Sequence, residues 1–414
     1  MYTSIFYIII GIIVFEFIFE KYFDWLNSSW RGKPIPEELN GIYDDDKYKK
    51  QQEYAKVNSR FSNLSSAFSF LLIIGFLFLH GFGKLNHWVE NYVEHPIAIG
   101  LMFFGILFFA LDIVGLPFSL YQTFVIEERF GFNKTTKKIF ILDKLKGYLV
   151  SIVLGGVIYS IVYKLFEVTG DLFWIYCWVF IAGFMLFMTL FYSNLIVPLF
   201  NKQTPLDEGE LKNAINEFSQ KVGFTLKNIY QINGSKRSTR ANAYFTGLGP
   251  KKRIVLYDTL INDLSTEEIV AVLAHEIGHY KKRHTLSGLV ISMLQLGLML
   301  YLLSLFISNP LLSEALGVNQ PAFHIGLIAF SLLYSPISTV TGLLMNILSR
   351  KNEYQADNFA AENYHAMHLI SGLKKLSSSN LSNLTPHPAY VFINYSHPSL
   401  INRIRNLIRL KDKF

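Results

Sequence analysis

LFWIYCWVFIAGFMLFMTLFYSNLIVPL, running from Leu172 to Leu199, contains no Asp, Glu, Lys or Arg. A helix needs roughly 20 such residues to cross the hydrocarbon of a bilayer. Six further stretches are also long and apolar enough, three of them with a few charged residues: Ile5 to Phe23, Leu64 to Phe82, Ile97 to Val125, Gly147 to Phe166, Leu286 to Ile307 and Phe323 to Leu348. The composition agrees. Apolar residues make up 51% of the 414 residues and aromatics 15%, whereas Asp, Glu, Lys and Arg together reach only 17%. A soluble protein is nearer about one quarter charged, so this chain cannot cover a water-facing surface. The same figures exclude disorder and collagen-like repetition. Cys177 is the sole cysteine, which rules out an intrachain disulfide and a cysteine-rich zinc site.

The first stretch lacks the basic start and small-residue cleavage site of a signal peptide and contains Glu16 and Glu20, so it reads as a retained helix. The charged loops then suggest an orientation. Arg31 to Arg60, Arg129 to Lys146, Asn201 to Thr285 and the tail after Ser349 are rich in Lys and Arg, whereas Gly83 to Pro96 carries only Lys84 and Ser308 to Ala322 carries none. This alternation predicts an amino terminus outside (or lumenal) and a carboxyl terminus in the cytoplasm, which seven spans satisfy. The net charge of +7 therefore belongs to membrane topology. No aromatic-basic platform motif suggests nucleic acid.

The expected fold is mainly α: a polytopic membrane protein of about seven helices with a cytoplasmic region carrying a small β-sheet. Residues 1–200 hold helices one to five, 201–285 a cytoplasmic segment, 286–348 helices six and seven, and 349–414 a cytoplasmic tail. Within 201–285 a polar helix (Glu208 to Val222) precedes strand-like runs at Ile229–Ile232, Ala243–Thr246 and Arg253–Tyr257. Ser265 with Glu268 three residues on is a capping-box signature announcing another helix. An amphipathic basic helix is expected near Arg403 to Arg409.

That capped helix reads Ala274-His-Glu-Ile-Gly-His279. Residues four apart share a helix face, so His275 and His279 can bind one zinc ion, with Glu276 beside them as general base. A catalytic zinc keeps three protein ligands and leaves one position open. The third ligand must here be His, Glu or Asp. Glu353, in Ser349-Arg-Lys-Asn-Glu-Tyr-Gln-Ala-Asp357, is the best local candidate, and Asp357, one turn later, is suited to orient a ligand or donate a proton. Periodicity alone does not separate this reading from an ordinary solvated helix end.

These motifs resemble the type I CAAX prenyl protease family of integral-membrane zinc endopeptidases. The likeness extends to Phe130-Gly-Phe-Asn-Lys-Thr-Thr136, Pro198-Leu-Phe-Asn-Lys202, Ser235-Lys-Arg-Ser-Thr-Arg-Ala-Asn-Ala-Tyr-Phe245, Arg253-Ile-Val-Leu-Tyr-Asp-Thr-Leu260, Asn380-Leu-Ser-Asn-Leu-Thr-Pro-His-Pro388 and Tyr395-Ser-His-Pro398. The resemblance implies His275, His279 and Glu353 as ligands of one Zn(2+) per chain, Glu276 as general base and Asp357 as a proton donor. It implies Asn242, Ala243 and Tyr244 as an edge strand that pairs with the substrate backbone, and His397 and Arg403 as supports of the tetrahedral intermediate. A helix-capping His and a snorkelling Arg are the ordinary alternatives for the last two.

The implied partners are a peptide or protein substrate, prenylated in a cell that makes such proteins, and membrane lipid. The location would be the endoplasmic reticulum membrane in a eukaryote or the plasma (inner) membrane in a prokaryote. A quality-control protease closer in purpose to HtpX-like enzymes has the same chemistry. A seven-helix transporter with structural zinc would need a fourth ligand, and none is evident. The family's helices enclose a large chamber, so Glu16, Glu20 and Asp112 are expected to face water rather than lipid. Oligomeric state is not legible.

Overall fold

Each apolar stretch forms a helix, the structure that satisfies its own backbone hydrogen bonds in lipid. The computed structural model describes residues 3–224, 229–246 and 253–411. Among these, five helical runs are long and apolar enough to cross a membrane: Asp45–Phe78, Pro96–Phe130, Lys137–Phe200, His284–Phe306 and Phe323–Asn363. The third contains two of the expected stretches, joined by a short 3-10 turn at Gly170–Leu172. The first stretch lies within the helix Ser4–Ser29, whose Glu16, Glu20 and Lys21 lower its apolar character.

Boundaries differ from the expectation in places. The second stretch ends at Phe78 rather than Phe82, because His80 adopts a left-handed conformation (φ 51°) and starts a separate helix, Gly81–Glu90. The polar helix spans Glu210–Lys221, and the basic terminal helix is longer than expected, Leu400–Lys411. Asp112 is held by Lys144 and by the hydroxyl of Tyr148, so its charge is neutralised within the protein. Along these helices Leu149, Ile152, Val179, Leu294 and Leu344 are exposed apolar side chains.

Among the described residues the sheet has four strands, β1 (Gln203–Pro205), β2 (Ile229–Ile232), β3 (Ala243–Thr246) and β4 (Arg253–Tyr257), in the order β1-β2-β4-β3. The order leaves β1 and β3 as edges. β1 was not expected; Pro205 lacks an N–H to donate, which is tolerated at an edge. β2 and β4 run parallel, pairing Ile229 with Ile254, and β3 lies antiparallel to β4, pairing Ala243 with Leu256.

One core joins the sheet to the motif helix, Thr266–Lys281, through Ile254 and Leu256 of β4, Ile269, Leu273 and Ile277 of the helix, and Leu369 and Ile404 beyond it. A second core lies among the membrane helices and includes Phe6, Phe103, Phe173 and Leu303.

Candidate metal centre

The motif helix is fixed before it carries any chemistry. Ser265 accepts from the Glu268 backbone N–H while the Glu268 carboxylate accepts from the Ser265 N–H at 2.8 Å, closing the expected capping box. Such a cap stabilises a helix by about 1 kcal/mol. Glu268 is buried and also accepts from Ser371 (2.7 Å) and Lys375 (2.8 Å), which ties the helix start to Ala366–Ser379. Burial alone would raise the Glu268 pKa, but these donors outweigh it and hold it below the usual carboxylate value.

The long helix Phe323–Asn363 crosses the motif helix at Gly278. A Cβ there would meet the Ala356 Cα at 3.0 Å and the Ala356 carbonyl oxygen at 3.1 Å. This close approach brings Glu353 to the two histidines. Nε2 of His275 and Nε2 of His279 lie 3.1 Å apart, and the Glu353 carboxylate lies 3.5 Å from the first and 3.2 Å from the second. One ligand atom from each of the three falls within 4.8 Å of the others.

Two nitrogens and a carboxylate oxygen at this spacing suit a metal ion of zinc's preference. Oε2 of Glu353 is buried and accepts no hydrogen bond, its nearest cation being Arg403 Nη1 at 3.4 Å, so it has a lone pair to give a metal ion. The residues present fit the metal.

Each histidine is braced from behind. Nδ1 of His275 lies 2.9 Å from Oδ1 of Asp357, which is wholly shielded from solvent. Arg403 donates to both Asp357 oxygens, at 2.9 and 2.6 Å, and its Nη1 lies 3.4 Å from Glu353. Burial alone would lower the Arg403 pKa, but Asp357, Glu353 and Glu276 raise it, so the guanidinium stays charged. His279 leans on His284, Nδ1 to Nδ1 at 3.0 Å, and Nε2 of His284 meets Gln355 Oε1 at 2.8 Å. Arg283, in the left-handed region (φ 59°), turns the chain so that His284 comes back against His279.

His284 and Gln355 were not singled out from the sequence. Their signal was present: a histidine five residues past His279, and a polar side chain midway between Glu353 and Asp357.

The remaining expected residues gather around the same point. Glu276 and His397 border two cavities. One, of about 160 Å³, is lined by Asn242, Ala243, Leu369 and Leu373; the other, of about 380 Å³, by Thr285, Gly288, Met345 and Leu348. His397 is 63% exposed at its side chain, with Nε2 3.4 Å from Glu353. Two larger surface grooves lie elsewhere, and a third, of about 510 Å³, reaches His397 and Arg403; none touches the three candidate ligands.

β3 passes beside this cleft with one edge unpaired among the described residues. The carbonyl of Asn242 accepts from Tyr257 N at 3.1 Å, so by strand alternation the N–H and C=O of Ala243 face away from β4. Oδ1 of Asn242 accepts from that Ala243 N–H at 2.9 Å. Tyr244 points elsewhere, its hydroxyl 3.3 Å from Gln203 Nε2.

Comparison with known proteins fits this geometry. Residues 24–202 match the family model described as CAAX prenyl protease N-terminal, five membrane helices, and residues 205–411 match that of peptidase family M48. The chain is 36% identical to a CAAX prenyl protease 1 homolog of Dictyostelium discoideum, over 92% of each chain. It is 33% identical to CAAX prenyl protease 1 of Saccharomyces cerevisiae, over 98% of this chain and 96% of the other. The crystal structure of S. mikatae Ste24p superposes with a TM-score of 0.93 at 34% identity, covering 98% of this chain and 99% of that one.

Proposed function

This chain belongs to the type I CAAX prenyl protease family, within peptidase family M48, and on that premise we propose that it uses zinc to cut prenylated proteins near their carboxyl termini. It is a membrane metalloendopeptidase. The observation that carries the proposal is the cluster of His275, His279 and Glu353, with a carboxylate oxygen that accepts no hydrogen bond, set beside Glu276 and a strand edge unpaired among the described residues.

His275, His279 and Glu353 would hold the zinc, which when bound would supply Lewis-acid activation of water and of the scissile carbonyl. Glu276 makes no side-chain hydrogen bond or ion pair to the described residues and borders both cavities, so its carboxylate is available to take the water's proton. The substrate backbone adds to β3 through the N–H and C=O of Ala243, displacing the Asn242 side chain from that N–H. Tyr244 and Asn242 hold the strand on either side.

Return of the proton to the leaving amine falls to Glu276. Asp357 is shielded and its oxygens are occupied by Arg403 and His275, which suits it to fix the His275 tautomer. Arg403 acts through Asp357 as a positioning residue. His397, exposed in the cleft, is the group free to reach the oxyanion.

We read seven spans, counting Ser4–Ser29 and taking Lys137–Phe200 as two crossings, with the metal centre and sheet on the cytoplasmic side. The alternation of Lys and Arg between loops supports this orientation. A tag in the loop 308–322 should then be reached only from the lumenal or outer side.

The substrate reading is tested with a farnesylated peptide ending in a CAAX sequence and its unmodified twin. The farnesylated form should be cut at least ~10-fold more efficiently, as burying a long apolar chain predicts. Equal cleavage of both would favour a quality-control protease.

A further inference from the structure

Phe130 to Thr136, and the Ser235 to Ala241 part of the motif that runs into β3, take no direct part in the chemistry above, yet they meet. The Lys134 N–H donates to the Arg237 carbonyl at 3.0 Å, the Thr239 N–H donates to the Phe132 carbonyl at 3.1 Å, and Asn133 bridges Ser238. The segment leading into β3 is therefore hung from a loop between membrane helices.

Its two arginines extend the attachment. Arg240, two residues before Asn242, reaches Glu127 with Nη2 at 3.0 and 3.2 Å and also meets the hydroxyl of Tyr54. Tyr54 donates to the same carboxylate at 2.7 Å, and Gln122 at 3.2 Å. The guanidinium stacks on Phe132, 4.4 Å from the ring centre. Glu127 closes a π-helical segment, Gln122–Glu127, and such irregular turns recur at functional sites. Arg237 grips Asp143 with two bonds, at 2.7 and 2.8 Å, and adds Asn201 and the Phe200 carbonyl, each at 2.8 Å. Tyr54, Glu127 and Asp143 belong to three different membrane-spanning runs.

Stability alone is a weak reason for the Arg240 pair. At 42% and 20% side-chain exposure it belongs with pairs that change folding little. Position is a stronger one, because misplacing a reacting group by about 1 Å can cost about 10²-fold in rate. We propose that Arg237 and Arg240 are positioning residues that set the Ala243 edge against the metal centre from the membrane helices, so that substrate register depends on how those helices pack. This rests on the reading of Ala243 as the substrate-pairing residue.

The test uses the full-length protein in detergent and the peptide that the wild type cleaves best. Arg240→Gln, Glu127→Gln and their double variant are compared with Ala243→Pro, which removes the outward N–H without touching the arginines. Metal content and thermal unfolding are recorded for each. The expected result is a rise in KM of about tenfold in both single variants with metal retained, and no further rise in the double variant, because coupled residues are non-additive. Ala243→Pro should raise KM as well.

If Ala243→Pro raises KM and Arg240→Gln lowers only the folded fraction, the positioning role is overturned and the strand reading stands. Additive effects of Arg240→Gln and Glu127→Gln would also overturn it. An unchanged KM in Ala243→Pro would overturn the strand reading and this proposal with it.

Discussion

Gly278 and Ala356 touch where the motif helix crosses the long helix that carries Glu353: a Cβ on Gly278 would sit 3.0 Å from the Ala356 Cα. The atoms in the way are backbone and the Phe359 Cβ, none of which can swing aside. The separation of the two helices, and with it the reach of Glu353 to the histidines, is set by the absence of a side chain.

Gly278→Ala should therefore act on the metal more than on the fold. Helix propensity gains about 1 kcal/mol while forcing the helices apart costs about 1–3 kcal/mol, for a net loss of up to about 2 kcal/mol. Metal affinity, measured by chelator competition, should fall at least ~10-fold as Glu353 is displaced. Unchanged affinity would show that the close approach does not set the site.

Glu353→Ala and Asp357→Asn should separate a ligand from its support. Wild-type protein should hold one zinc per chain. Glu353→Ala should lose metal and activity together, whereas Asp357→Asn should weaken metal affinity by about 10–100-fold, because its carboxylate lies against His275 Nδ1 and outside the candidate ligand set. Elemental analysis with a chelator titration checks both. Full zinc occupancy in Glu353→Ala would assign the third ligand elsewhere.

Glu268 predicts a pH dependence of stability. Its folded-state pKa is depressed, so its contribution is present above its unfolded pKa of about 4.5 and is lost as pH falls through the lower folded value. Glu268→Gln should be about 1 kcal/mol less stable than wild type at neutral pH, with the difference shrinking below about pH 4.5. Thermal unfolding across pH measures this. A constant difference down to pH 3 would contradict it.

The legibility of the site followed chain distance. His275, Glu276 and His279 could be read because helix geometry alone puts them together. Glu353 and Asp357 needed resemblance, since their partnership with the histidines depends on a helix crossing that no local pattern encodes. The bracing of His279 by His284 depends on Arg283 taking a left-handed turn, and Arg240 finds Glu127 only through tertiary packing. Three strands were legible from their apolar runs, whereas β1 was too short and too polar to announce itself. The end of the second membrane helix was misplaced because His80, whose type carries no stop signal, breaks it.

Replacing Glu276 by Gln tests the central claim most directly, because Gln keeps the size and cannot serve as a base. Glu276 is outside the candidate ligand set, so the variant should fold and retain its zinc. Peptide cleavage by the zinc-loaded variant should fall by at least ~10²-fold, the low end for losing a general base. Near-normal cleavage by a zinc-loaded Glu276→Gln protein would contradict the account.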